Sequence, residues 1–139
     1  MEQKKSIKER RFGVVVTFLS LLNIVFIFEF RNLEQWNTIL QIAGIVSFLV
    51  FVASLIFTFF KTGLWQFTHK SLKMLDEREM ELTSKSLRIA YAIFTVVVLA
   101  LLLAIAITSV AIDVVMVAAL ILFAHLLPAS IIAWTQKVV

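Results

Sequence analysis

Four apolar runs of membrane-spanning length, at 12–30, 39–60, 89–107 and 114–134, fill more than half of a 139-residue chain. A bilayer core of about 30 Å needs roughly 20 apolar residues in helical form, and in lipid each backbone N–H and C=O must be satisfied within its own segment. The expected fold is therefore all-α, an integral-membrane four-helix bundle forming a single domain over 1–139. Alternation with a period of two is absent, which argues against a transmembrane barrel. Composition agrees: 61% of the residues are hydrophobic and 16% charged, with a mean hydropathy of +0.99. Soluble domains carry about 25% charge.

The last two runs require a break between them. One helix from Ile89 to Trp134 would be about 70 Å long at 1.5 Å per residue, more than twice the hydrocarbon thickness. The polar residues available for a turn are Thr108, Ser109 and Asp113, and the Asp113 carboxylate is placed to cap the fourth helix.

Orientation follows from the basic residues. Lys4, Lys5, Lys8, Arg10 and Arg11 precede the first run, and Lys61, Lys70, Lys73, Arg78, Lys85 and Arg88 occupy the 61–88 linker. Lys137 follows the fourth run, and the remaining one of the 13 basic residues, Arg31, stands on the opposite side. By the positive-inside rule both termini and the linker are expected in the cytoplasm. The first run reads as an uncleaved anchor, because Phe26, Phe28, Glu29, Phe30 and Arg31 stand where a signal peptide would need small residues. Charge sorted by membrane side also accounts for the pI of 9.7 without nucleic acid, since anionic lipid headgroups are sufficient counter-charge. The bilayer is thus the expected partner. Trp36, Trp65, Tyr91 and Trp134 fall at the ends of runs, as interfacial anchors do.

The 61–88 linker is too long for a simple helix–helix connection. Gly63 after Lys61 predicts the stop of the second helix. Asp76, Glu77, Arg78 and Glu79 have the D-x-x-E form of a capping box, and Leu75, Leu82 and Ile89 repeat every seven residues. The third helix is therefore expected to start near Asp76 and to project from the membrane. This Asp-Glu-Arg-Glu segment, followed by Leu87-Arg88-Ile89-Ala90-Tyr91 at the mouth of a span, resembles small uncharacterised bacterial multi-span membrane proteins with an acidic-basic juxtamembrane motif. The resemblance covers about a quarter of the chain. It implies a bacterial cytoplasmic (inner) membrane and a role for the linker beyond joining spans, so Asp76, Glu77, Arg78 and Glu79 are candidate partner-docking residues.

Enzymatic chemistry finds little support. With three Gly, one Pro and no Cys, the chain offers no Gly-rich phosphate loop, disulfide or thiolate metal site. His69 and His125 share no metal-ligand spacing and are expected to lie half a membrane apart. No Ser, His and acid trio gathers at one depth. Neither cofactor nor metal is expected. Small four-span multidrug exporters rely on a glutamate in the middle of their first span; here Glu29 is at the end, and Asn23 cannot titrate.

Polar residues at bilayer depth are costly and therefore informative. Asn23 and His125 are expected mid-way along the first and fourth helices, at nearly equal depth, where they form a candidate intramembrane contact. Ser47, Ser54 and Thr95 add hydroxyls. Small residues at helical spacing, Ala43/Ser47 and Ser54/Thr58, Ala100/Ala104/Thr108, and Ala118/His125/Ala129/Ala133, mark faces where helices approach closely. His125 is thereby expected to point into the bundle, one turn from a kink at Pro128. The function expected is that of a non-catalytic scaffold, regulatory or accessory subunit presenting its linker. The alternative is a small transporter or channel using the intramembrane polar residues. Self-association is a further partner class compatible with the sequence.

Overall fold

A computed structural model describes residues 2–32 and 37–135. In order, the helices are α1 (Glu2–Asn32), α2 (Thr38–Leu55), α3 (Leu64–His69), α4 (Glu77–Thr108) and α5 (Val114–Thr135). A π-helical turn, Ile56–Phe60, continues α2, and a 3-10 turn, Leu72–Met74, precedes α4. No strand occurs among the described residues. Four helical stretches are long and apolar enough to cross a membrane: Ile7–Glu29, Thr38–Phe60, Glu77–Thr108 and Val114–Thr135. The chain divides into two compact units, one running to Leu64 and the other spanning Trp65–Gln136.

The first unit is an antiparallel pair, α1 against α2. Asn37, in extended conformation, caps α2 by accepting from the Leu40 N–H at 2.9 Å. The seam between the helices is built from small and hydroxylated residues. The Ile27 methyl would lie 3.5 Å from a Cβ placed on Gly44, and Asn23 Nδ2 donates to Ser47 Oγ at 2.7 Å. Ser54 Oγ and Thr17 Oγ1 both donate to the Gly13 carbonyl, at 3.0 and 2.8 Å, and the two hydroxyls also touch. Thr17, Ser20, Ser47 and Thr58 are buried. Small side chains let the two backbones approach, and the Thr17, Ser20 and Ser54 hydroxyls find carbonyl acceptors within the pair, which lipid could not supply. The Ser47, Ser54 and Thr58 stripe of α2 is thus the face that meets α1.

At its end α2 loosens by one residue. Lys61 N–H bonds the Ile56 carbonyl at 3.1 Å, five residues back, and this wider turn buries Thr58 and Phe59. The Thr62 hydroxyl donates to the Thr58 carbonyl, and Gly63, at φ +72°, takes the left-handed conformation that ends the helix.

The second unit contains the linker and the α4–α5 hairpin. At 32 residues, α4 is about 48 Å long, well beyond a hydrocarbon core of about 30 Å. Its first three turns carry charge and its remainder is apolar. Ser109 closes α4 at φ 55°, its N–H bonded to the Ile105 carbonyl at 2.8 Å, and Asp113 Oδ1 accepts the Met116 N–H at 2.7 Å to begin α5. Phe94 and Phe123 meet with ring centroids 6.3 Å apart, fixing the register of the hairpin. The Ala100, Ala104 and Thr108 stripe, expected to pack, is exposed. Only 6% of the most apolar window of α4 is buried.

Candidate functional site

The head of α4 is set by local chemistry. Asp76 is extended (φ −70°, ψ 158°), its carboxylate accepts the Glu77 N–H at 2.8 Å, and Glu79 Oε2 accepts the Asp76 N–H at 3.3 Å. The Asp76 carboxylate also takes the Glu79 N–H, so the reciprocal capping box is complete. Lys70 Nζ, arriving from the end of α3, lies 3.3 Å from the same Glu79 oxygen. Both partners are about one-third exposed, which makes the ion pair worth little in energy, but it ties the preceding segment to the cap. Asp76 and Glu79 are therefore engaged in holding the helix start. Glu77 and Arg78 point outward and are exposed, as are Glu81, Lys85 and Arg88 further along α4.

Replacing Asp76 with Ala removes the cap acceptor and should lower stability by about 0.5–2 kcal/mol. Amide exchange should rise in the first turn of α4 and stay unchanged in α5. An unchanged exchange pattern across 77–80 would show that the cap contributes nothing.

A second cluster joins α3 to α5. Trp65 and His69 stack one turn apart, with ring centroids 4.0 Å apart and planes 7° from parallel. His69 Nδ1 lies 3.0 Å from the Trp65 carbonyl and 2.9 Å from Thr68 Oγ1. His69 Nε2 lies 3.3 Å from His125 Nε2, and the Trp65 ring is 5.6 Å from that of His125. The expected half-membrane separation of the two histidines is thus corrected. Position along α5 alone puts His125 mid-way along the helix. The Phe94–Phe123 contact instead places His125 on the side of that contact towards the charged end of α4. There α3 can reach it. His125 is exposed, so it does not lie on an inward small-residue face, whereas Ala129 and Ala133 of the same stripe are buried.

Asn23 and His125 belong to different units, and each has a polar partner within its own: Ser47 for Asn23, His69 for His125. Among the proposed anchors, Tyr91 and Trp134 are 73% and 51% exposed, as residues offered to an interface must be. Trp65 is half-buried against the histidines. Trp36 lies outside the described residues.

Sequence reasoning missed Asn37 as the cap of α2 and missed the histidine pair. Asn followed by Thr38 and an apolar run is a recognisable start signal. The pairing of His69 with His125 crosses 56 residues and has no local signature. No group of three or more metal-ligating side chains occurs among the described residues. Comparison of the chain with known protein families, curated proteins and solved structures yields no match.

Proposed function

We propose that the chain is a non-catalytic four-helix membrane protein of a bacterial cytoplasmic membrane, with both termini and the linker inside, which docks a protein partner through that linker. Its role would be that of a scaffold, regulatory or accessory subunit. The observation that carries this reading is the head of α4: a capped, tethered helix start that extends beyond the apolar stretch and exposes Glu77, Arg78, Glu81, Lys85 and Arg88. An ordered helix presents such charges in a fixed pattern, which gives a partner register and specificity at low conformational cost.

The intramembrane polar groups support the same reading over transport. Asn23 is bonded to Ser47, Ser54 to the Gly13 carbonyl, and Thr95 to the Tyr91 carbonyl at 2.8 Å. They hold helices together or fold back on their own helix. A groove of about 520 Å³ beside Asn23, Ser20 and Ser47 is walled for the rest by apolar side chains such as Leu19, Phe26 and Val50, and no charged group among the described residues lines it, chemistry suited to an acyl chain rather than an ion.

Charge reversal at the two outward residues tests the docking role. A Glu77→Lys, Arg78→Glu variant leaves Asp76 and Glu79 in place, so α4 should keep its start. A stoichiometric partner retained by the wild-type protein in mild detergent should be lost from this variant, and its retention should weaken with salt. Equal recovery of that partner with both proteins would refute docking through the linker.

A further inference from the structure

We propose that His69 and His125 form a binding site for a transition-metal ion of imidazole preference, Zn²⁺ being the best-fitting case, on the linker side of the second unit. The two rings meet through their Nε2 atoms. These are 3.3 Å apart while the ring centroids are 5.3 Å apart and the planes are tilted by 45°. The Trp65 carbonyl oxygen can only accept a hydrogen bond, so in the neutral ring the His69 Nδ1 that faces it carries the proton. The His69 Nε2 lone pair is then directed at His125.

This is the arrangement by which metal-ligating histidines are oriented: the far nitrogen donates to a carbonyl, and the near nitrogen is left as the ligand. The stacked Trp65 ring and the Thr68 hydroxyl further restrict the rotation of His69.

The separation of 3.3 Å accommodates two occupants of the gap, a shared proton or a metal ion. A direct N–H···N hydrogen bond, donated by His125 Nε2 to the His69 Nε2 lone pair, is satisfied at this distance. Two imidazole nitrogens on a tetrahedral Zn²⁺, each about 2.0–2.1 Å from the metal, stand about 3.3–3.4 Å apart. The observed 3.3 Å matches that edge as well, and a bound ion would take the place of the shared proton between the two rings. Neither histidine is buried by the protein, which leaves the two remaining positions open to further ligands. A bound ion would link α3 to α5 through two ligands separated by 56 residues in sequence. The site goes beyond the docking reading and does not depend on it.

Metal binding by the purified full chain, with no affinity tag, tests the site. In detergent the wild-type protein should bind one Zn²⁺ per chain, and His69→Ala and His125→Ala should each weaken binding by at least about tenfold, since losing a ligand costs more than losing its supporting bond. Circular dichroism establishes that each variant remains helical. X-ray absorption on the Zn²⁺-loaded wild type, which needs no variant, should report two imidazole nitrogens at about 2.0 Å. Failure of the folded wild type to bind Zn²⁺, fewer than two imidazole ligands, or equal binding by folded His69→Ala would each overturn the proposal.

Discussion

Replacing Gly13 with Ala should destabilise the first unit by about 1–3 kcal/mol, the scale of overpacking at a tight contact. In an open helix the same change would be favourable by about 1 kcal/mol, because Gly is the weaker helix former. The sign is reversed here by the approach of α2. A Cβ on Gly13 would overlap the Thr58 hydroxyl and lie 3.0 Å from both Thr58 Cβ and Cγ2. Rotating the Thr58 hydroxyl away does not relieve the overlap, since its Cβ and Cγ2 are both at 3.0 Å and the residue is buried in the π-helical turn. Displacement would also disturb the Gly13 carbonyl that accepts from Thr17 and Ser54. Gly44 supplies the contrast: its added Cβ would meet Ile27 at an ordinary 3.5 Å, so Gly44→Ala should be neutral or mildly stabilising. Combining Gly13→Ala with Thr58→Gly should recover part of the loss, and a double-mutant cycle in detergent measures the coupling. Destabilisation by Gly44→Ala equal to that of Gly13→Ala would mean that the close contact at Thr58 is not the cause.

The second large effect concerns the outer surface of α4. Leu99 lies in the middle of its apolar stretch and is 61% exposed. Were α4 a helix in water, Leu99→Arg would be harmless. In a bilayer it places a cation near the midplane, where translocon-based scales assign a cost of about 2.5–3.5 kcal/mol. The predicted result is a large fall in the fraction of molecules with α4 inserted, whereas Leu99→Ala retains insertion. Glycosylation or protease mapping after cell-free synthesis with membranes reads that fraction. Full insertion of Leu99→Arg would remove α4 from the set of spans exposed to lipid.

The four long helices were legible in the sequence because each is announced by length and hydrophobicity, signals that need no knowledge of neighbours. Asp76 with Glu79, Gly63 and Asp113 were legible for a related reason: a cap or stop acts within four residues of its own helix end. The α2 stripe of Ser47, Ser54 and Thr58 found its partner in α1, but Ala100, Ala104 and Thr108 on α4 did not meet α5. Small residues permit close approach without requiring it. The π-helical turn at Ile56–Phe60 had no visible signal, since it arises from how Thr58 and Phe59 are accommodated in three dimensions. The contact between His69 and His125 was not legible, because a pairing across 56 residues leaves no local signal. It depends on the register of α5 against α4, where Phe94 meets Phe123.

The absence of cysteine from the chain makes its topology directly measurable. Single cysteines at Arg78, exposed at the head of α4, and at Ile112, 52% exposed in the turn before α5, stand at opposite ends of the third span. Treatment of intact cells with a membrane-impermeant thiol reagent should label Ile112→Cys at once. Arg78→Cys should react only after the membrane is opened, as a linker presented to a cytoplasmic partner requires. Labelling of Arg78→Cys in intact cells, or of both positions from the same side, would contradict the account.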